Sequence, residues 1–288
     1  MLDYAAMQTH HIDNGGLRFR FLGTGTSVGV PQIGCRCPVC TSADPRDRRR
    51  RCGAYVSTAS AAFLVDTPPE LREACIAYSV DRVNAICLTH AHMDHVAGFD
   101  DVRRFNTMNG GVPMPCYATA DTIDRMHGIF PYISARKNEL GLFRPMIDFV
   151  DNSKPFAIGD VAVERVEVEH GFPCCGYVFT APGGARLAYV SDCHALPEET
   201  LEKIRGVDVM VLNCLRARPH PTHLNEEAAL GYLREIGPGR AYLVHMCHDI
   251  SHAEWLRRLP PGVEPAYDGL EIEVGARPKD GPAGQDGI

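Results

Sequence analysis

No apolar run in this chain of 288 residues approaches the ~18 that a membrane-spanning helix needs, so no membrane partner is expected. The opening Met1-Leu2-Asp3-Tyr4 lacks a basic-then-apolar pattern. No secretory signal is therefore expected, and a cytoplasmic location is. An excess of positive charge is also lacking: 29 Lys and Arg stand against 36 Asp and Glu, a net charge of −7. That balance argues against general affinity for nucleic acid, but leaves room for a small anionic substrate held by metal ions. The glycine-rich turn Gly23-Thr24-Gly25-Thr26 lacks the following helix of a dinucleotide fingerprint, so no nucleotide cofactor is assigned to it. Without a secretory signal, the 12 cysteines read as metal ligands and buried free thiols rather than disulfides.

What is present is concentrated in Thr89-His90-Ala91-His92-Met93-Asp94-His95. An apolar run, 83–88, precedes it and reads as a buried strand; a helical pattern over 96–105 follows. The cluster therefore belongs on a strand-to-helix turn. In extended chain, residues two apart point the same way, so His90 and His92 can share one metal ion. Asp94 and His95, past the turn, face a second position. Imidazole nitrogen with carboxylate oxygen suits zinc, manganese or iron. Upstream, Cys35, Cys37 and Cys40 form C-x-C-x-x-C, three corners of a zinc tetrahedron. Arg46 and Arg48 to Arg51 make a basic run, read as a solvated loop or an attractor of phosphate. Asp66, ahead of Pro68 and Glu70, reads as a helix cap.

Strands are predicted over 17–22, 61–65, 114–118, 161–169, 176–180, 187–190, 207–212, 241–244 and 270–274. Helices are predicted over 120–130, 198–204, 226–236 and 253–259, with 145–158 a loop containing room for a strand. Residues 1–16 read as a frayed leader and 276–288 as a disordered tail. Strands fall in both halves with no linker between, so 17–275 reads as one α/β domain, a layering that several α/β folds share.

The central motif resembles the T-H-x-H-x-D-H signature of the metallo-β-lactamase superfamily, which implies a four-layer αββα sandwich and metal-assisted hydrolysis. The remaining ligands of that family find matches in order: His170, Asp192 in Tyr189-Val190-Ser191-Asp192, and His245 in Leu243-Val244-His245. The resemblance implies that His90, His92 and His170 hold one divalent metal, that Asp94, His95 and His245 hold another, and that Asp192 bridges them. Asp94 then counts as catalytic as well as ligating. It also implies that Asp66 supports the metal site. Two metals ~3.5–4 Å apart can share a hydroxide that is nucleophilic at neutral pH.

Gly-x-Pro-x-x-Gly-Cys-x-Cys-x-x-Cys ahead of that motif, with a late H-x-x-H, resembles the PhnP type of phosphodiesterase across nearly the whole chain. This implies a small phosphorylated substrate: opening of 5-phosphoribosyl 1,2-cyclic phosphate to ribose 1,5-bisphosphate. It implies a structural zinc on Cys35, Cys37, Cys40 and His248, with Cys247 and Cys52 as rival fourth ligands. It also implies two manganese or zinc ions at the active site, a histidine acid, and a homodimer. For the acid, His223 is preferred over His220 because it stands just before a helix. Arg216, Arg218 and the arginine run are candidate substrate anchors. Cys193 and His194, next to Asp192, are candidates for the pocket wall. Cys174 and Cys175 read as core thiols; His10, His11, His127 and His252 are assigned no role. Two alternatives stand beside the phosphodiesterase: a same-fold hydrolase of another ester (a tRNase Z-like nuclease, thioesterase or lactonase), and a non-hydrolytic zinc protein of cofactor biosynthesis.

Overall fold

Leu17, Phe19 and Phe21 are buried on one face of the first strand, while Arg18 and Arg20 on the other face are only partly covered. This period-two alternation sets the strand against the molecule's centre. The computed structural model describes residues 15–133 and 143–275. The leader and tail expected at the two ends, with His10 and His11, lie outside the described residues, except for Gly15 and Gly16.

The first sheet is built from β1 (Leu17–Gly23), β2 (Gly53–Ser57), β3 (Ala62–Val65), β4 (Ala85–Cys87), β5 (Met114–Ala118) and β6 (Ile147–Asp151). The second contains β7 (Phe156–Ile158), β8 (Val161–Glu167), β9 (Cys175–Thr180), β10 (Arg186–Val190), β11 (Val209–Asn213), β12 (Arg240–Val244) and β13 (Val263–Pro265). The last strand, β14 (Glu271–Val274), returns to pair with β1. Each sheet has seven strands, and in each the pairing is antiparallel at one side and parallel at the other.

The two sheets face each other through a core that includes Phe19, Phe21, Phe63, Tyr177, Phe179 and Tyr189. Phe63 and Phe179 meet across it with ring centroids 5.3 Å apart. Strand β10 is buried on both sides: Leu187 and Tyr189 enter this central layer, whereas Ala188 and Val190 enter the layer beneath the outer helices. A strand covered on both faces reads as a continuous apolar run. Helices α1 (Leu71–Ala77), α2 (Met93–Val96), α3 (Arg103–Met108) and α4 (Ala120–Ile129) lie on the N-terminal half. Helices α5 (Glu198–Ile204), α6 (Glu226–Ile236) and α7 (His252–Arg258) lie on the C-terminal half. The molecule is an αββα sandwich, and no helix among the described residues is long and apolar enough to cross a membrane.

Several expectations need correction. The helix predicted over 96–105 is broken into α2, a 3-10 turn Phe99–Val102 and α3. The break falls where the Gly98 amide leaves the helix for the Thr67 carbonyl at 2.9 Å, an approach so close that a Cβ there would stand 2.1 Å from the Pro68 carbonyl oxygen. The 145–158 loop contains two strands, β6 and β7, and β2 follows directly on the arginine run. That run is not uniformly solvated either. Arg49 is buried, Arg50 pairs with Asp268 and Arg51 with Glu70. Asp66 caps no helix; its carboxylate is spent elsewhere, as described next.

Candidate metal centre and pocket

Strand β4 runs into Leu88 and Thr89, and the chain then turns so that Asp94 and His95 fall in the first turn of α2. Asp66, at the end of β3, fixes this turn. Its φ is +61°, an unfavourable value for a residue with a Cβ, and its side chain is fully buried. The carboxylate accepts from the Thr89 amide at 2.8 Å, the Thr89 hydroxyl at 2.8 Å and His95 Nδ1 at 2.7 Å. Because the Thr89 hydroxyl donates to Asp66, it accepts from His90 Nδ1 at 2.9 Å, which assigns the proton to that nitrogen and leaves the Nε2 lone pair bare. His170, beyond β8, is fixed the same way: its Nδ1 donates to the Thr222 carbonyl at 3.0 Å. Asp192 follows β10 and His245 follows β12, both parallel strands, whose carboxyl ends are the usual place for a site.

These side chains converge. Donor atoms of His90, His92 and His170 lie within 4.8 Å of one another, as do those of Asp94, His95 and His245. Asp192 joins both sets: Oδ1 is 3.1 Å from His95 Nε2, while Oδ2 is 3.1 Å from His245 Nε2 and 3.8 Å from His170 Nε2. Burial alone would raise the Asp192 carboxyl, but the imidazoles of His245 and His95 outweigh it and hold it well below the carboxylate range. Burial alone would lower His95; Asp192, Asp66 and Asp94 outweigh it and hold that imidazole well above its usual value. His90 is pushed well down by burial.

The donor set fits a divalent metal, and the structure itself supplies the test. His95 Nε2, Asp192 Oδ1 and both ring nitrogens of His245 are buried without a hydrogen-bond partner, although some stand close to one another. An orphaned buried polar atom costs ~1–3 kcal/mol, and cations held among these atoms remove that cost.

A pocket of about 320 Å³ opens over the cluster, lined in part by His92, Asp94, His170, Asp192, His223 and His245. Of the two candidate acids, His223 lines it, 3.9 Å from Asp192, and its ring stacks on His245 at 4.5 Å. His220 stands behind it, 5.2 Å away ring to ring, and is not in the lining. Burial and the neighbouring His245 push His223 down to about 3. Its Nδ1 also comes within reach of the donors of His170 and Asp192, so ligation is open to it as well as proton transfer. Arg218 pairs with Asp249 and Arg216 bonds the Pro219 carbonyl; neither reaches the lining. Cys193 is buried under the outer helices and His194 faces Glu169, so neither forms the pocket wall. Sequence reasoning missed Ser27, Phe172 and Thr222, which do line it. Phe172 packs on His92 with ring centroids 4.2 Å apart and the planes tilted by 32°, and its position two residues after His170 was the signal available.

At a second site, the Sγ atoms of Cys35, Cys37 and Cys40 stand 3.4, 3.5 and 3.3 Å from His248 Nδ1. The Cys40 amide donates to Cys37 Sγ and holds that thiol down to about 6. Three sulfurs and one nitrogen at these distances fit a tetrahedral zinc. Of the rival fourth ligands, Cys52 is fully buried in the core between the sheets, and the Cys247 sulfur accepts from the Asp249 amide; neither is part of the cluster.

Residues 61–246 match the family model described as the β-lactamase superfamily domain. An octanoyltransferase of Porphyromonas gingivalis is 33% identical over 271 residues, which are 92% of this chain and 54% of that protein, so the chain spans about half the length of that relative. Coenzyme PQQ synthesis protein B of Methylobacterium nodulans is 27% identical over 304 residues, 88% of this chain and 98% of that one. Among solved structures, a diphosphatase from the PhnP family aligns with a TM-score of 0.81 at 33% identity, covering 90% of this chain and 97% of that one.

Proposed function

Since the chain belongs to the metallo-β-lactamase superfamily, we propose that it is a dinuclear metal-dependent phosphodiesterase acting on a small cyclic or ribosyl phosphodiester, of the 5-phosphoribosyl 1,2-cyclic phosphate type. The observation that carries this reading is the meeting of two donor triads at Asp192 on the floor of one open pocket. His90, His92 and His170 would hold one cation; Asp94, His95 and His245 would hold the other, with Asp192 shared. Manganese and zinc both suit such mixed nitrogen and oxygen donors. Bound cations supply a water of lowered pKa and neutralise charge developing on phosphoryl oxygens.

The chain's own residues do the rest. Thr89 and the Thr222 carbonyl hold His90 and His170 with their Nε2 lone pairs aimed inward. Asp66 holds His95. Asp94 shapes the pocket wall and would ligate there. His223 is neutral before substrate arrives, because burial depresses it. The negative charge of an incoming phosphate raises it again, so that it takes up a proton and hands it to the leaving oxygen. Phe172 packs against His92 and so narrows the ring's freedom to turn.

A second reading, hydrolysis of an acyl ester or thioester, is favoured by the 33% identity to part of an octanoyltransferase. The pocket wall speaks against it: among the described residues it is mostly imidazole and carboxylate, with Phe172 the one large apolar side chain.

The test is to incubate manganese-loaded protein with 5-phosphoribosyl 1,2-cyclic phosphate and follow the phosphorus NMR spectrum, with a diphosphate ester and octanoyl thioester in parallel. Loss of the strained cyclic signal with a new phosphomonoester is the expected result. Turnover of the thioester alone, in protein holding two active-site metals, would replace the phosphodiesterase reading with the acyl one.

A further inference from the structure

Arg49 stands between the two candidate metal sites and belongs to neither. It is 1% exposed, in a run of arginines whose neighbours reach the surface. Its backbone pairs with Val30 in both directions, each bond 2.8 Å, so it anchors the start of the loop that carries Cys35, Cys37 and Cys40. Its guanidinium donates to the carbonyls of Cys247 and Ile250, which bracket His248. Asp47 lies 3.3 Å from the same guanidinium and also accepts from the His252 amide at 2.6 Å. One residue therefore joins the thiol loop, through its backbone, to the segment 247–252, through its side chain.

That segment begins two residues after His245, whose φ is +60°. A β-carbon residue in this region costs ~1–3 kcal/mol and persists only where its surroundings over-determine it. On the amino side, β12 fixes the chain. On the carboxyl side the holds include Met246 to Thr24, Thr26 to Met246, Cys247 to Leu215, and the Arg49 guanidinium on the Cys247 carbonyl. Gly25 lets the Thr24 loop lie against Arg49: a Cβ there would stand 2.6 Å from the Arg49 carbonyl oxygen. A buried Arg–Asp pair contributes little net stability, since desolvation offsets the attraction, so stability alone does not account for the arrangement.

Resting on the metal-site readings above, we infer that Arg49 is a positioning residue. Its fork clamps the turn that carries His245 and His248, so that the thiol site sets the geometry of the active-site imidazole. The planar guanidinium sends a separate nitrogen to each carbonyl, where a lysine ammonium has one nitrogen for both.

The test uses the cobalt(II)-substituted full-length protein and two variants, Arg49→Lys and the double variant Asp47→Leu/Arg49→Met, which leaves no buried charge unpaired. The active-site d–d bands and the thiolate-to-cobalt charge-transfer band are recorded, together with kcat and KM on bis(p-nitrophenyl) phosphate. Both variants are expected to fold, to shift the d–d bands as well as the charge-transfer band, and to lose about tenfold in kcat with KM within about twofold. Wild-type d–d bands in both variants, whatever their thermal stability, would make Arg49 a structural residue only and overturn the inference. If wild-type protein fails to turn over 5-phosphoribosyl 1,2-cyclic phosphate, the phosphodiesterase reading fails, but the cobalt bands still decide the role of Arg49.

Discussion

Asp66 shows how much one side chain can organise without touching the reacting centre. It gathers Thr89 and His95 on one carboxylate, and through Thr89 it sets the tautomer of His90. Such partners are worth 10–100-fold in metal affinity or activity. Asp66→Asn should therefore weaken active-site metal binding by roughly that factor, read by competition with a chromophoric chelator. At the thiol site, Cys37→Ser should lose one zinc equivalent and lower the melting temperature, because a structural zinc contributes folding free energy. A variant that kept its zinc and its melting temperature would refute the site. Asp268 carries a pH effect. Burial raises its carboxyl to about 6, although it accepts from the Arg50 amide and the Thr24 hydroxyl. A carboxyl raised on folding favours the folded state most below its unfolded value, and that contribution fades as pH rises through about 6. His252, pushed down to about 4 by burial, has the opposite slope in the same window, so the difference between proteins is the useful quantity. The melting temperature of wild type relative to Asp268→Asn should fall as pH rises from 4 to 7; a constant difference would refute the assignment.

The elements that present these residues are short, and their ends matter more than their lengths. Helix α4 begins at Thr119, whose hydroxyl accepts from the Thr122 amide. Thr119→Ala should cost about 1 kcal/mol in denaturant unfolding, the usual value of such a cap. Helices α6 and α7 start on Asn225 and Ser251 in the same manner, and α6 ends on Gly237 at φ +61°. These boundaries were legible in the sequence, because caps and amphipathic periodicity are local. The break at Gly98 was not, since the periodicity continues through it and the carbonyl that takes its amide belongs to the distant residue 67. Strand β6 escaped a firm assignment for a related reason: it is an edge strand, mostly only half covered, so its apolar alternation is weak.

At the scale of the molecule, the site exists because two sheets meet. Phe179, fully buried, packs on Phe63 from the opposite sheet. Phe179→Ala should cost about 3–5 kcal/mol and lower the urea midpoint with little change in slope. The second sheet also reaches directly into the first: the Tyr177 hydroxyl donates to the Leu88 carbonyl at 2.7 Å, and the Cys175 amide to Thr89 at 3.0 Å, just ahead of His90. Sequence by itself put three thiols in one short segment and three imidazoles with a carboxylate in another, because spacing within a few residues is a local property. Periodicity located most strands and helices for the same reason, though not β2 or β13. Tertiary structure alone decided that His220 sits behind His223, that Ser27 and Phe172 enter the pocket, and that one arginine of a run is buried while its neighbours are not. Those outcomes depend on contacts between residues far apart in the chain, such as Arg49 with Cys247, and no local pattern encodes which distant carbonyl a side chain will meet.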